Sequence, residues 1–420
     1  MSTLELLYGR RVLEFEVPSW VTMDVLEATH LPAIPLDRAF EEAWAHPFGG
    51  IDLADALTPG DRVVLVVNDQ TRPTPTLELL RLFWAKVRSR VDPEHVTVVV
   101  GTGTHRAPTE DELDGMLGEF RQTFRVLIHD CDRDLIEVGV SARGTRILVN
   151  RTVVEADHVI AFGHIGLHYY AGYSGGRKAI LPAVAGREAI AANHAQLTDP
   201  ESRACLYRGN PINDEMVEAA RMVHLDAIID VVFASDGGVA QVVIGESEAA
   251  HAAGRAFWNK YFQVAFSEPY DVVIASAGGH PKDIDLYQAY KAQFNAMRTL
   301  RDGGVLFLAA ACPDGFGHAV FQDWIERSPT PEDVLSLYER EGFVLGGHKA
   351  LYHAQDVRRV SIFLCTEMED DMIRKLYATP VRDLAPVLSV VEEKYGRNAR
   401  VLIMPHAADV FPVQTDGWIR

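Results

Sequence analysis

The sequence predicts an α/β protein built as two α/β domains with mainly parallel sheets. Three observations predict it. Strand-like and helix-like runs alternate through most of the chain, the pattern of a parallel sheet with crossover helices. Runs such as RVVLVVND (62–69) are almost continuously β-branched, as in strands buried on both faces. A chain of 420 residues also exceeds what one hydrophobic core ordinarily organises, so two domains are expected.

The elements follow in order. Residues 11–18 (RVLEFEVP) alternate apolar and polar, as a half-exposed strand does. The run 62–69 is a buried strand, and TLELLRLFWAKVRSR (76–90) has helical periodicity. HVTVVV (95–100) is a second strand, followed by a loop and the helix TEDELDGML (109–117), where Thr109 and Glu112 have capping-box spacing. HVIAFG (158–163) is a third strand, and RKAILPAVAGREAIAANH (177–194) has helical composition. A helix at 211–223, strands at 226–235 and 239–246, and a helix at 247–264 complete a first domain. The alternation restarts with strands at 272–278, 304–312, 360–365 and 400–405, interleaved with helices at 286–300, 331–341 and 381–396. The expected division is therefore 1–268 and 269–404, with a tail, 405–420, returning to the first domain.

Composition narrows the function classes. Hydrophobic content of 48% with 24% charged residues is that of a soluble globular protein. A net charge of −19 argues against a general nucleic-acid or anionic-membrane binder, yet permits a local basic pocket. Cys131, Cys205, Cys312 and Cys365 are scattered without a CxxC pair, which suits a reducing cytoplasm and argues against a zinc ribbon or iron–sulfur site. No stretch approaches 18 uninterrupted apolar residues, and the first residues lack a signal-peptide core. The expectation is a cytoplasmic protein.

Three polar loops follow strands and are candidates to face one crevice: DQTRPTPT (69–76), GTGTHRAPT (101–109) and GHIGLHYYAGYSGGRK (163–178). The last joins a strand to a glycine turn and a helical run, a setting in which backbone N–H groups can meet a phosphate. A Walker-type loop needs Gly before the Lys and Ser or Thr after it, whereas Arg177 precedes Lys178 and Ala179 follows. His105 stands in a loop directly after a buried strand, while His168 and His194 flank the turn and Lys178. His164 is read as hydrogen-bonded within the loop, and His251, His318 and His406 as structural. Asp69 and Arg72 lie past a strand end; Tyr287, Gln288 and Lys291 share a helix start. Two or three histidines that titrate near neutrality, with basic groups and a lysine beside a phosphate-friendly turn, point to an enzyme handling a small carboxylate with an anionic cofactor.

These residues carry a family resemblance. DQTRPTP (69–75), GTGTHR (101–106), HYYAGYSGGRK (168–178) with His194, and QAYK (288–291) make the chain resemble the lactate racemase family, nickel-pincer-nucleotide-dependent racemases and epimerases of 2-hydroxy acids. The resemblance implies an active site and cofactor in the cleft between the two domains. It implies a pyridinium-3-thioamide-5-thiocarboxylic acid mononucleotide tethered covalently to Lys178, with nickel held by His194 and the pincer. It implies His105 and His168 as the acid/base pair, and Arg72, Lys291, Gln288 and Tyr287 as substrate-binding groups. Asp69, Thr71, Ser174, Gly175 and Gly176 are implied to support the cofactor, which separate biosynthetic enzymes supply. Where the family carries a tryptophan over the substrate, the loop LGGHKAL (345–351) puts His348, favouring a malate-type or longer acid over lactate. Two other classes stay open at this point: a zinc-dependent hydrolase with His105, His168 and His194 as ligands, although HExxH spacing is absent, and a non-catalytic nucleotide sensor. Oligomeric state is unreadable from the residues.

Overall fold

The β-branched run at 63–68 becomes an inner strand of a six-stranded sheet. In this computed structural model, which describes residues 2–415, the sheet order is Val239–Glu246, Leu225–Phe233, His158–His164, Val63–Asn68, Val96–Gly101, Arg125–Ile128. All neighbours are parallel except the pair Val239–Glu246 with Leu225–Phe233. Val63, Val64, Leu65, Val66 and Val67 are all buried, so both faces of this strand are covered, which is what an uninterrupted apolar run requires. Helices Leu36–Ala45, Thr76–Val87 and Glu110–Leu117 cover one face, packing Phe40, Leu79, Phe83 and Leu113 on Leu65, Val67 and Phe162. Thr109 and Glu112 form the expected capping box.

The chain steps outward from Val63–Asn68 through two strands, then returns to its other side with His158–His164. Strand order therefore reverses between these two strands, and the loops at their carboxyl ends border the crevice where open α/β sheets bind ligands. Those loops are 69–75 and 165–178, two of the three singled out in the sequence. The stretch 177–194 is not one helix. A short 3-10 turn, Gly176–Ala179, is followed by irregular chain, and the α-helix runs only from Arg187 to Ala195. Pro182, which has no N–H and would clash with the preceding turn, explains the break.

The second sheet is parallel throughout, in the order Thr379–Pro380, Ser361–Cys365, Leu300–Ala309, Tyr270–Ser276, Val401–Met404, Met23–Val25. Its order reverses between Tyr270–Ser276 and Val401–Met404, and the helix Leu286–Met297 follows the first of these. His348 is not in a loop: it belongs to the first turn of the helix Gly347–Arg359.

The division into units differs from the expected one. The compact units are His30–Lys260, and Met1–Thr29 with Tyr261–Arg420. Residues 1–29 join the later unit because the hairpin Ser2–Tyr8 with Arg11–Val17 buries Leu6, Tyr8, Phe15 and Val17 on Val272, Ile274 and Phe307. Met23–Val25 then pairs with Val401–Met404. Alternation at 11–17 shows that one face is covered, not which sheet covers it. In the tail, Phe411–Gln414 pairs in parallel with Gln263–Phe266 inside this same unit; residues 416–420 lie outside the described residues. Among the described residues no helix is long and apolar enough to cross a membrane, and all four cysteines are buried and free.

Phe15 and Phe307 meet edge to face with centroids 5.4 Å apart. We expect Phe15→Ala and Phe307→Ala each to cost about 3–5 kcal/mol and to be non-additive, whereas Phe15→Ala with Phe83→Ala should add. Urea unfolding of the three single and two double variants, read on the transition of the affected unit, checks this; additivity of the first pair would detach the hairpin from that sheet.

Candidate active site

The loop after Val63–Asn68 is shaped by Asp69. Its Oδ1 accepts the Thr71 N–H at 3.1 Å and the Thr71 hydroxyl at 2.6 Å, a local turn. Its Oδ2 lies 2.6 Å from His105 Nδ1, so a residue of one loop orients the imidazole of the next. Burial works against ionising Asp69, yet hydrogen bonds from His105 and Thr71 hold its carboxyl below the ordinary value. With Nδ1–H committed to this carboxylate, Nε2 of His105 is the nitrogen left for chemistry. Thr71 thus acts on Asp69. Thr74 ties the same loop to its neighbour, donating its hydroxyl to Asn68 Oδ1 at 2.8 Å and lying 3.0 Å from His164 Nδ1. His164 therefore has the local hydrogen-bonding role expected of it.

The glycine turn is held from inside by Arg177, a residue the sequence reading used only to reject a Walker loop. Its guanidinium donates to the carbonyls of Ala171 (2.9 Å), Tyr173 (2.8 Å) and Gly175 (3.1 Å) and to Asn213 Oδ1 (2.7 Å). Burial brings this guanidinium down to about 10. Asp230, 1% exposed, lies beneath the turn and accepts the Gly176 N–H at 2.8 Å; burial pushes its carboxyl up to about 7 against that hydrogen bond. Gly172 and Gly175 are required by contact and conformation. Both have positive φ, and a Cβ would overlap the Leu206 carbonyl in one case and Asp230 Oδ2 in the other.

This arrangement corrects one expectation. The N–H groups of Ser174 and Gly176 do not face outward to a phosphate: the first donates to Gly166 O at 2.9 Å, the second to Asp230. The Ser174 hydroxyl donates to His164 O at 3.0 Å and accepts the Gly166 N–H at 2.9 Å. A buried carboxylate and a returning chain take these donors, so the turn contributes shape and rigidity rather than an anion nest. His251, read as structural, packs in the same scaffold: Nε2 is 2.9 Å from Ser174 O, and Arg255 Nε donates to Nδ1 at 3.2 Å. A cavity of about 440 Å³ borders Arg177, Tyr207 and His251, and none of the sequence-predicted site residues lines it.

Lys178 and two histidines form the chemical part of the turn. Lys178 Nζ lies 3.3 Å from His168 Nε2, and His168 Nδ1 accepts the Ala171 N–H at 3.3 Å. Tyr170 meets His168 edge-on at 4.5 Å and His194 edge-on at 5.3 Å, linking the two imidazoles through one ring. His194 is 6% exposed on the last turn of the helix Arg187–Ala195. That helix is anchored to the helix Pro211–Met222 where Glu215 accepts from Asn193 at 2.9 Å and Gln196 at 3.0 Å. Burial, with the positive charges of Arg177 and Arg72, holds Lys178 well below the ordinary lysine range. Burial and Lys178 likewise depress His168 strongly and bring His194 down to about 3. At neutral pH the two imidazoles are lone-pair donors able to bind a metal, and the Lys178 amine gives up its proton more readily than an ordinary lysine. Among the described residues, His105, His168 and His194 do not bring one nitrogen each within 4.8 Å of the others, so the three-histidine zinc centre of the hydrolase reading is not formed.

Tyr287, Gln288 and Lys291 lie in the other unit, on the helix Leu286–Met297, whose Asp285 cap accepts the Gln288 N–H at 2.7 Å. Tyr287 stacks on His318 at 5.2 Å, meets His348 edge-on at 6.3 Å, and has Lys349 Nζ 5.2 Å over its ring. His318, read as structural, caps the helix Ala319–Glu326 by accepting the Val320 N–H at 3.2 Å; Lys349 was not singled out, because nothing in a linear pattern gathers positions 287 and 349.

Replacing Arg177 by Lys exchanges a fork of planar donors for one point charge. Arg177→Lys should destabilise the unit His30–Lys260 by about 2 kcal/mol or more, while Lys at exposed Arg203 should change little. Urea midpoints decide it; equal midpoints would mean the turn does not depend on the guanidinium.

Comparison with known proteins identifies the family. The lactate racemase N-terminal domain matches residues 8–205, and the lactate racemase C-terminal domain matches residues 266–411. The chain is 29% identical to lactate racemase of Thermoanaerobacterium thermosaccharolyticum, over 98% of this chain and 99% of that protein. It is 26% identical to lactate racemase of Lactiplantibacillus plantarum, with the same coverage. The solved lactate racemase apoprotein of T. thermosaccharolyticum superposes with a TM-score of 0.87 at 28% identity, over 98% of this chain and 100% of that one. A Thermotoga maritima protein, at a TM-score of 0.63 and 16% identity over 92% of this chain and 100% of its own, shares the fold. With both domains matched in order and the likeness running the length of the molecule, the chain belongs to the lactate racemase family of isomerases.

Proposed function

We propose that the protein interconverts the enantiomers of a 2-hydroxy acid, of lactate or malate type, with a nickel-pincer nucleotide carried on Lys178. The observation that carries this reading is the 3.3 Å contact between His168 Nε2 and Lys178 Nζ, an acid–base imidazole against the amine that would bear the cofactor. The relatives compared are lactate racemases, which supports the reaction class.

The residues fit this cofactor in the groups they offer. Lys178 presents a depressed amine suited to a covalent link. His194 presents a buried neutral imidazole, a donor that suits nickel. When bound, the cofactor supplies a hydride acceptor that takes the substrate's 2-hydrogen and returns it to either face. The remaining work belongs to side chains. His105 Nε2, oriented by Asp69, takes the hydroxyl proton of one enantiomer, and His168 serves the other. Two imidazoles are needed because the hydroxyl points to opposite sides in the two forms, and each contributes ~10²–10⁴-fold. Arg72, exposed past the strand end, binds the carboxylate bidentately. The family likeness across both halves of the chain supports Lys291, Gln288 and Tyr287 as further carboxylate-binding groups. His348, buried beside Tyr287, supports a substrate more polar than lactate. Separate enzymes of cofactor synthesis supply the nucleotide, and four free buried cysteines support a reducing cytoplasm.

Protein co-expressed with the cofactor-making enzymes should carry a mass adduct on Lys178 and bound nickel. Lys178→Ala should lose the adduct, whereas His194→Ala should keep it and lose the metal, as read by intact mass and elemental analysis. An unmodified chain that still racemises substrate would overturn this.

A panel of enantiopure acids (lactate, malate, 2-hydroxyglutarate, phenyllactate) followed by polarimetry should single out the substrate. On it, His105→Asn and His168→Asn should each lower kcat by ~10²–10⁴-fold, and Asp69→Asn should follow His105→Asn. Unchanged optical rotation across the panel with loaded enzyme would remove the racemase reading.

A further inference from the structure

We infer that Lys178 is a preformed nucleophile: the apoprotein by itself acylates Lys178 on meeting an activated carboxyl compound, without a separate ligating enzyme. This rests on the reading of Lys178 as the cofactor-bearing residue and extends it to how the bond is made. The argument starts from a tautomer. The Ala171 N–H donates into His168 Nδ1 at 3.3 Å, so Nδ1 carries the lone pair and the proton of the neutral ring lies on Nε2. Nε2 is 3.3 Å from Lys178 Nζ. An N–H facing an ammonium would set donor against donor, whereas facing a neutral amine it makes an N–H···N hydrogen bond. The contact therefore selects the free amine.

The surroundings act in the same direction. The charges bearing on Lys178 are those of Arg177 and Arg72, both positive, and the imidazoles of His168 and His194 are depressed by burial. Arg177 Nη2 holds the Ala171 carbonyl at 2.9 Å, which keeps in place the residue whose N–H sets the tautomer. Lys178 as a residue is only half-buried. In the reaction the Nζ lone pair attacks the carbonyl carbon and a C–N bond forms. The bond from carbon to the leaving group breaks, and that group departs with its electron pair. Nζ gives up one proton, to the leaving group or to water. The product is an amide, or a thioamide from a thioacyl donor, and no oxidant or reductant takes part.

Trace labelling of the apoprotein with acetic anhydride, resolved lysine by lysine by mass spectrometry, tests this. Exposed Lys375 is the internal reference. At pH 7 Lys178 should label about tenfold or more faster than exposed Lys375. Between pH 7 and 9 the Lys178 rate should rise less steeply with pH than the Lys375 rate. His168→Leu should abolish the advantage, and His168→Gln, whose amide N–H can still face Nζ, should retain it; circular dichroism confirms that each variant is folded. A Lys178 rate that tracks Lys375 with pH, or one unchanged in folded His168→Leu, overturns the inference. Active holoenzyme with slow Lys178 labelling removes this inference alone, whereas fast labelling without racemisation removes the proposed function instead.

Discussion

A buried guanidinium gripping backbone carbonyls is the interaction on which the site depends. Arg177 closes the turn by donating to Ala171, Tyr173 and Gly175, and through Asn213 it fastens that turn to the helix Pro211–Met222. Among the described residues no carboxylate forms an ion pair with it. A buried charge is tolerated there because its donors meet fixed carbonyl oxygens, which replace the water it gives up. The same charge discourages a proton on the neighbouring Lys178. One side chain thus sets both the shape of the turn and the chemical state of its lysine.

Desolvation turns this region from a cluster of cations into a cluster of lone pairs. The whole chain carries −19, yet Arg72, Arg177, Lys178, His168 and His194 act on one another through their charges. Were all protonated, they would repel strongly. Burial eases the conflict by disfavouring a proton on the Lys178 amine and on the two imidazoles, which lose one at far lower cost than a guanidinium does. A residual positive potential on an acidic protein is well matched to an anionic substrate and cofactor.

Both sheets follow the same logic, each within its own unit. Strand order reverses next to Val63–Asn68 in one and next to Tyr270–Ser276 in the other, and the residues with chemistry lie past the carboxyl end of that strand. In one unit these are Asp69 and Arg72, joined by the glycine turn from the strand alongside. In the other they are Tyr287, Gln288 and Lys291 at the start of the helix Leu286–Met297.

The sequence by itself determined the buried strands, several helices and the motif-bearing loops, because these depend on short-range physics. An apolar run at 62–69 makes a strand at 63–68, a capping box fixes Thr109, and the helix predicted over 331–341 is found at Pro331–Glu341. His105, His168, Lys178 and His194 stood out from loop position and motif for the same reason. Tertiary structure alone decided which sheet covers the hairpin at 2–17 and where the turn's N–H groups go. It also revealed Arg177 as a clamp and Asp230 as the acceptor of the Gly176 N–H, 54 residues along the chain from that glycine. A local pattern states that a face must be buried or a donor satisfied. Which distant residue satisfies it is set only when the chain closes on itself, because hydrogen bonds are specific to ångström distances that no sequence spacing encodes.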